Sequence, residues 1–238
     1  DICLSSNLKS KKYLKILGVK NIKYIGNLKF TQTENDRNEL NKNLKQFFLT
    51  KKIWCASSTH QSEERICLEV HKKLKNNYKN LLTIIIPRHI HRTKEILREI
   101  EKLNLKVHLH DSGININDKT DIYLVNSFGQ TKSFFKICKT IFLGGSIIKH
   151  GGQNPLEPVR YGCKILHGPN VWNFDEIYTL LKKYKITNKI NNSKQLFLKV
   201  NEMLNKKNKP KNLEHKFKNL GIKILNSTLK EMNLYIVK

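Results

Sequence analysis

The chain alternates between short apolar runs and longer segments whose apolar residues recur at helical spacing. Residues 81–87 are apolar at nearly every position, which is typical of a central parallel strand covered on both faces. Repeated strand–helix alternation predicts an α/β fold, a doubly wound parallel sheet flanked by helices. The predicted strands are residues 53–56, 81–87, 106–110, 121–126, 141–143 and 164–167. The predicted helices are 63–74, 92–103, 132–138 and 173–184, the last of them capped by Asn173.

The two ends of the chain differ from this central part. Residues 2–25 predict a strand, a helix and a second strand that ends at Gly26, which we interpret as the closing piece of a truncated N-terminal domain. Near the other end, residues 193–205 and 213–234 have the apolar spacing of two helices. We therefore expect four parts: an N-terminal remnant (1–30), a linker helix (31–50), a main domain (51–190) and C-terminal helices that pack back toward the N-terminal domain (191–238).

Charge suggests an anionic partner without identifying it. The chain has 45 basic and 19 acidic residues, and its net charge is +26. Lysine supplies nearly all of the excess and is spread among many Asn and Ile residues, which favours a coding bias over a specific nucleic-acid surface. A lysine-rich face still favours an anionic membrane surface, by about 1 kcal/mol per well-placed residue. No apolar run approaches the roughly 18 residues of a membrane span.

Cysteine and histidine usage predicts neither disulfides nor a metal. The five cysteines form no Cys-x-x-Cys pair and fall mostly within apolar runs, as reduced core residues of a cytosolic protein do: Cys3, Cys55, Cys67, Cys138 and Cys163. Two His-x-His pairs, at residues 89–91 and 108–110, have no clear third ligand. We therefore expect no metal and no cofactor.

Candidate chemistry is densest in residues 142–158. Two glycine pairs, Gly144-Gly145 and Gly151-Gly152, lie between a strand end and a helix that starts at Asn154-Pro155. Glycine lets a phosphate approach closely while backbone N–H groups point outward, so this segment predicts an anion cradle. Glu157 would then accept hydrogen bonds from ribose hydroxyls. A tight strand-to-helix turn without a ligand is the alternative.

Two further segments end predicted strands. Arg88 follows the strand 81–87, and the carboxyl end of a parallel strand is where ligands bind in open α/β sheets. Its guanidinium could hold a phosphate or carboxylate in bidentate fashion, and a surface ion pair is the alternative. Residues 57–60 predict a turn whose hydroxyls either cap the next helix or bind an anion together with its free N–H groups. His60 fits a structural hydrogen bond better than a catalytic base.

Four separated segments, in order, resemble the 3-deoxy-D-manno-octulosonic acid (Kdo) transferases. They are GNLKF at 26–30, ASSTHQSEE at 56–64, PRH at 87–89, and residues 142–158 with HGPNVWNF at 167–174. The resemblance covers most of residues 1–180. It implies a Rossmann-like donor domain of a GT-B glycosyltransferase, which moves Kdo from CMP-Kdo to the lipid A precursor. It also implies a carboxy-terminal fragment, with 1–30 left from the acceptor domain and 51–190 binding the CMP-sugar.

The resemblance also implies roles for individual residues. Lys29 matches a lysine that stabilises charge in the transition state, whereas the general base, a glutamate, belongs to the family's amino-terminal domain, so we expect the fragment to be inactive alone. Asn126, Gln130 and Gln153 depart from the family's usual residues, as does Ser62, and the two amides at 126 and 130 weaken the expected charge contacts. The implied CMP-Kdo residues are Pro87, Arg88, Phe128, Gly129, Gln130, Asn154, Pro155, Leu156 and Glu157, with Ser58, His60, Gly145 and Ser146 as further candidates.

The expected function is Kdo transfer in lipopolysaccharide core biosynthesis, at the cytoplasmic face of the bacterial inner membrane. The expected partners are CMP-Kdo, the lipid A precursor and an anionic membrane surface, with no specific nucleic acid. One alternative is another GT-B enzyme that uses a nucleotide sugar, either a transferase or an epimerase. The other is a basic domain without activity that binds polyanions or a membrane surface.

Overall fold

The computed structural model describes residues 1–31, 39–113, 115–206 and 214–236. The chain divides into two compact units, residues 1–35 with 212–238 and residues 36–211. Part of the predicted linker, residues 32–38, lies outside the described residues, as do residues 207–213 between the last two predicted helices. The four-part domain division inferred from the sequence stays a prediction.

The first unit contains the strand–helix–strand element predicted from the sequence. Strands β1 (Cys3–Ser5) and β2 (Ile22–Tyr24) pair in parallel, and α1 (Leu8–Ile16) connects them. A short 3-10 helix follows at Leu28–Thr31 and packs against the C-terminal helix of the chain, Glu214–Ile236. Their contact stacks Phe30 on Phe217, with ring centroids 6.1 Å apart.

The second unit is built on one seven-stranded sheet in which every strand pair is parallel. The strand order is β5-β6-β4-β3-β7-β8-β9, and a helix lies between each two successive strands along the chain except β5 and β6, which a loop connects in the described residues. This confirms the predicted doubly wound α/β fold. The strands are β3 (Lys52–Thr59), β4 (Leu81–Pro87), β5 (Val107–Leu109), β6 (Ile122–Leu124), β7 (Thr140–Leu143), β8 (Lys164–His167) and β9 (Thr187–Lys189). The helices are α2 (Lys42–Leu49), α3 (Glu63–Lys75), α4 (Thr93–Lys102), α5 (Thr131–Ile137), α6 (Leu156–Arg160), α7 (Asp175–Lys183) and α8 (Ser193–Asn205), and Glu214–Ile236 is α9.

The core lies where strands β3 and β4 meet helices α3, α4 and α8. All seven residues of β4 are buried, as the nearly continuous apolar run predicted. Leu68, Ile96 and Leu196 bring one side chain from each of the three helices into this core. Each such fully buried side chain contributes about 1.5–3 kcal/mol relative to an exposed one.

Strand order fixes where the sheet can bind a ligand. The chain runs from β3 outward through β4 to the β5–β6 edge, and then returns to the opposite side of β3 with β7. The connections therefore diverge between β3 and β7. In open α/β sheets, ligands bind outside the carboxyl ends of the strands at such a point.

Two local predictions are wrong. The predicted turn at 57–60 is mostly strand, because β3 continues to Thr59, and Ser62 precedes α3 in a left-handed conformation (φ +75°) without a capping side-chain hydrogen bond. Asn173 does not cap α7, which begins at Asp175 after a short 3-10 helix. Its side-chain amide instead donates to the carbonyl of His150 at 3.3 Å. Strand β9 was not predicted.

The cysteines are free thiols, and four of them are buried in the second unit: Cys55, Cys67, Cys138 and Cys163. Cys3 is half-buried. Burial raises the pKa of the Cys163 thiol, which donates a hydrogen bond to the carbonyl of Cys138 at 3.0 Å. In the described ranges, no helix has both the length and the apolar character needed to cross a membrane.

Candidate functional site at the carboxyl edge of the sheet

The loops after β3 and β7 touch at the switch point of the sheet. The N–H of Gly144 donates to the carbonyl of Ser57 at 2.8 Å. A Cβ atom at position 144 would lie 2.4 Å from the Ser58 carbonyl oxygen and 2.6 Å from Thr59 Cα, both backbone atoms. Only glycine fits this approach, and Ser58 adopts a left-handed conformation there (φ +55°).

A buried carboxylate joins the two loops. Glu63, in the first turn of α3, is fully buried, and its Oε2 accepts from the N–H groups of His60 at 3.0 Å and Gly145 at 2.7 Å. Its Oε1 accepts from the N–H groups of Ser146 at 3.0 Å and Ile147 at 2.9 Å. Four backbone donors thus replace water around this charge, and a buried carboxylate requires such donors.

The interpretation of the Gly144–Gly145 turn as a free anion cradle is therefore wrong. The N–H groups that were expected to face a phosphate are directed at the carboxylate of Glu63. A role of Gly145 or Ser146 in binding substrate by other atoms stays a prediction. Glu63 lies within the ASSTHQSEE motif, but its role was not predicted, because three of its four partners lie more than eighty residues further along the chain.

The second glycine pair is also explained by contacts within the chain. Gly151 has a φ of +100°, and a Cβ there would lie 2.3 Å from Asn173 Nδ2 and 2.8 Å from Trp172 Nε1. The N–H of Gly152 donates to the carbonyl of Gly145 at 2.8 Å, so the two pairs are hydrogen-bonded to each other. Close contacts within the chain thus account for both glycine pairs, and a ligand beside the second pair stays a prediction.

Arg88 is exposed beside this turn. Its backbone N–H donates to the carbonyl of Thr59 at 2.9 Å, which ties the residue after β4 to the end of β3. Its side chain is exposed and forms no ion pair with any residue that the structure describes. A guanidinium in this state can still take an anion in bidentate fashion.

Arg92, only four residues on, is already paired. Its Nη1 is 2.8 Å from Glu64 Oε1 and its Nη2 is 3.3 Å from Glu64 Oε2, and Nη2 also lies 3.0 Å from Glu95 Oε1. Burial raises the pKa of Glu64, and the hydrogen bond from Arg92 opposes that rise. Arg92 is therefore a structural residue, whereas Arg88 is available to a ligand.

The loop after β6 lies close to Arg88, because β6 is the strand next to β4 in the sheet. Phe128 is 75% exposed, Gly129 has a φ of +79°, and Gln130 immediately precedes α5. The Asn126 side chain accepts from the N–H of Asp111 at 3.1 Å, so this amide ties two loops together. An exposed aromatic ring and an exposed arginine on neighbouring strand ends suit the flat base and the phosphate of a nucleotide.

The segment after the second glycine pair starts a helix, as predicted. Asn154 Oδ1 accepts from the N–H of Leu156, the first residue of α6, at 3.1 Å. Pro155 and Leu156 are buried, and Glu157 is half-buried in that turn. Because α6 follows β7, these residues lie on the same edge of the sheet as Arg88 and the β6 loop.

Histidines cluster at this edge without forming a metal site. His60 has its ring centroid 4.2 Å from that of His150 and 5.8 Å from that of His89. Burial lowers the pKa of His60, His150 lowers it further, and Glu63 opposes the change. Its Nδ1 lies 3.1 Å from the Ser58 carbonyl and must donate to it, which supports the structural role expected for this residue. Throughout the described ranges, no group of three or more His, Cys, Asp or Glu residues could hold a metal.

Lys29 belongs to the first compact unit, whereas the candidate donor-binding residues belong to the second. It lies in the 3-10 helix Leu28–Thr31, where its N–H donates to Asn27 Oδ1 at 3.0 Å. Its proposed effect on the transition state stays a prediction, as do the individual substrate contacts.

The seven-stranded parallel sheet and its switch-point loops form a Rossmann-like fold, the kind of fold that GT-B glycosyltransferases have. The fold is similar to the crystal structure of the C-terminal CMP-Kdo binding domain of WaaA from Acinetobacter baumannii. The TM-score is 0.63 at 24% identity, over 77% of this chain and 93% of that one. It is also similar to a putative UDP-N-acetylglucosamine 2-epimerase from Listeria monocytogenes, with a TM-score of 0.56 at 12% identity over 93% of this chain and 53% of that one. At these identities the likeness shows the fold alone.

Sequence relatives narrow the class to a family. The chain is 31% identical to the 3-deoxy-D-manno-octulosonic acid transferase of Haemophilus influenzae over 185 residues. This alignment covers 76% of this chain and 43% of that protein. The enzyme of the same name from Aquifex aeolicus is 27% identical over 207 residues, 87% of this chain and 55% of that protein. No protein-family model matches the chain. The chain belongs to the Kdo transferase family, as the four motifs predicted, and it spans about half the length of these relatives.

Proposed function

We propose that this chain supplies the donor-binding half of a Kdo transferase and binds CMP-Kdo through its second compact unit. The observation that carries the proposal is membership of the Kdo transferase family over three quarters of the chain. The exposed Arg88 at the carboxyl edge, next to the switch point of the sheet, supports the location of the donor site. The reaction would transfer Kdo to the lipid A precursor in lipopolysaccharide core biosynthesis.

Each proposed contact follows from the chemistry of the side chain. Arg88 pairs with the phosphate of CMP or the carboxylate of Kdo, Phe128 covers the cytosine ring, and Glu157 accepts from the ribose hydroxyls. When the bond between Kdo and the phosphate breaks, negative charge develops on the departing CMP. A cation held at that point stabilises the transition state more than the ground state, which is how such a site accelerates the reaction.

These 238 residues are proposed to bind the donor without turning it over when they are alone. The family resemblance assigns the general base to the amino-terminal domain and assigns Lys29 the stabilisation of transition-state charge. Neither of the two buried glutamates described in the second unit is available as a general base. Glu63 accepts from backbone N–H groups, and Glu64 pairs with Arg92.

Location at the cytoplasmic face of the inner membrane is part of the proposal. The donor is a water-soluble nucleotide sugar and the acceptor is a lipid, so transfer takes place where the two meet. The net charge of +26 supports association with an anionic leaflet. Neither a cofactor nor a specific nucleic acid is required.

Isothermal titration calorimetry with CMP tests the donor site. We expect CMP to bind more tightly than UMP, and Arg88→Ala or Glu157→Ala to weaken CMP binding by about tenfold or more, since each removes a hydrogen bond to or from a charged group. Arg98→Ala is the matched control, because Arg98 is an exposed arginine on α4, away from the strand ends. An absence of heat with CMP contradicts the proposal, and a preference for UMP or UDP favours another GT-B enzyme.

A further inference from the structure

A second cleft lies at the amino edge of the sheet, opposite the candidate donor site. It has a volume of about 360 Å³ and is formed by the segments that lead into β3, β4, β5 and β6. Because all strands are parallel, their starts and their carboxyl ends lie on opposite edges of the second unit. The lining residues are Lys51, Lys75, Lys79, Asn80, Leu81, Asn104, Lys106, Asp118, Lys119, Thr120 and Asp121.

Lysine is concentrated in this cleft well beyond its share of the chain. The sequence contains 39 lysines among 238 residues. Five of the eleven lining residues are lysines, against two aspartates, so the lining carries a net charge of +3. The five come from separate parts of the chain between positions 51 and 119, and folding brings them together. A uniform coding bias toward lysine does not explain such a concentration.

The two aspartates do not neutralise all five lysines. Asp121 forms an ion pair with Lys75, and its other oxygen accepts from the backbone N–H of Lys106 at 2.9 Å. Lys51 donates to the backbone carbonyl of Asp118 at 2.7 Å. The remaining three ammonium groups, those of Lys79, Lys106 and Lys119, form no ion pair with any residue in the described ranges.

The lysines also repel one another across the cleft. Burial lowers the pKa of Lys75, and the nearby charges of Lys106 and Lys51 lower it further. A bound anion would relieve this repulsion. The Debye length is about 8 Å at physiological ionic strength, so charges gathered around one cleft act together on a ligand inside it.

We propose that this cleft binds a multivalent phosphate anion, a phosphomonoester or a diphosphate, at a site separate from the CMP site. Lysine ammonium groups bind phosphate as point charges and do not need the planar geometry that arginine requires. Asn80, Asn104 and Thr120 add hydrogen-bonding groups to the lining. The volume of the cleft lies at the lower end of the range for small-molecule sites, so it can hold more than a single phosphate group. The phosphate belongs either to a soluble metabolite or to the headgroup of a lipid.

Calorimetry with inorganic pyrophosphate tests the site directly. We expect Lys79→Gln/Lys119→Gln to weaken pyrophosphate binding by about tenfold or more, because two charged donors are lost. The matched control is Lys183→Gln/Lys194→Gln, which removes the same net charge from exposed positions on α7 and α8. It should change binding by about twofold at most, as expected for distant, screened charges. Both double variants should bind CMP like the unmodified chain. Absence of pyrophosphate binding, or equal weakening by both double variants, overturns the proposal.

Vesicle sedimentation distinguishes the two sources of phosphate. Vesicles of phosphatidylcholine with phosphatidic acid present phosphomonoesters on a surface. If the cleft variant alone loses vesicle binding, and pyrophosphate competes with the vesicles, the ligand is a lipid headgroup. If the two double variants bind vesicles equally but only the cleft variant loses pyrophosphate, the ligand is a soluble phosphate compound. If pyrophosphate binding falls steeply with salt and is the same in both variants, the protein has only a diffuse basic surface, and the proposal is wrong.

Discussion

The Glu63 carboxylate accepts a hydrogen bond from the backbone N–H of Gly145 at 2.7 Å, joining the start of α3 to the loop after β7. Three further backbone N–H groups converge on the same carboxylate. The switch point of the sheet, which is the expected place for a ligand, is thus held together by a charge of the chain itself. Its stability should depend on that carboxylate.

The first prediction concerns Glu63→Gln. The amide nitrogen of glutamine cannot accept hydrogen bonds, so some of the four converging N–H groups lose their acceptor, and we expect a loss of about 3 kcal/mol in the free energy of unfolding. Glu69→Gln on the same helix is the control, because the Glu69 side chain is 43% exposed and forms an ion pair with the more exposed Arg65. It should change stability by about 0.5 kcal/mol or less. Urea unfolding measures both, and equal losses would show that the Glu63 network has no special role.

Alanine substitutions at Gly144 and Gly113 should lower stability for different reasons, steric crowding at Gly144 and backbone strain at Gly113. Gly144→Ala places a Cβ 2.4 Å from a backbone oxygen, so the two loops must move apart, at an expected cost of about 3 kcal/mol or more. Gly113→Ala meets no atom within 4 Å but has a φ of +66°. It should lose only about 1–2 kcal/mol from the left-handed conformation. The order of the two urea midpoints checks this prediction, and a Gly144→Ala chain as stable as Gly113→Ala would contradict it.

Removing Arg92 should lower the stability of the chain, whereas removing Arg88 should weaken CMP binding. Arg92→Ala leaves the buried carboxylate of Glu64 without its bidentate partner, and we expect stability to fall by about 3 kcal/mol. Arg88→Ala removes an exposed side chain, so stability should stay within about 0.5 kcal/mol while CMP binding weakens. Thermal unfolding and calorimetry on the same samples provide the comparison. A large loss of stability from Arg88→Ala would assign that residue a structural role instead.

His71 should make the stability of the folded chain depend on pH. This imidazole is fully buried, with Nδ1 2.8 Å from Thr83 Oγ1, and burial followed by the charge of Lys75 lowers its pKa to about 3. The unfolded chain takes up the proton near pH 6.5, whereas the folded chain does not, so stability falls as pH falls from about 6.5 toward 3. The loss attributable to His71 is about 2 kcal/mol between pH 6.5 and pH 5.

The variant His71→Gln tests that dependence. Glutamine can keep a hydrogen bond to Thr83 but does not titrate, so the fall in stability between pH 6.5 and pH 5 should become smaller. His91→Gln changes an exposed histidine and should leave the slope unaltered. Urea unfolding at several pH values measures the slopes. Equal slopes for His71→Gln and the unmodified chain would show that another group causes the pH dependence.

The sequence predicted the sheet well because burial imposes a pattern on it. A strand covered on both faces, such as β4, must be apolar throughout, and that requirement is visible in residues 81–87 without any structure. Strand β9 carries the polar sequence Thr-Asn-Lys at the edge of the sheet, so no apolar run marked it. The cap predicted at Asn173 was wrong because capping requires a backbone geometry that residue type alone does not specify.

The candidate site was harder to predict than the fold. Glycine is required wherever something comes close to the backbone, and the sequence does not tell whether that is a phosphate or another part of the chain. At Gly144 and Gly151 it is another part of the chain. The role of Glu63 and the basic cleft were invisible for a related reason, since their partners are far apart in sequence and only folding brings them together.

The distribution of thiols has a practical consequence. Four reduced cysteines are sealed inside the seven-stranded unit, and the fifth, Cys3, is only half-buried in the other unit. A thiol reagent should therefore modify Cys3 first and reach the other four only when the sheet opens. The slow modification rate of the four buried thiols would therefore measure how often the seven-stranded unit opens, and the fast rate of Cys3 would serve as an internal reference.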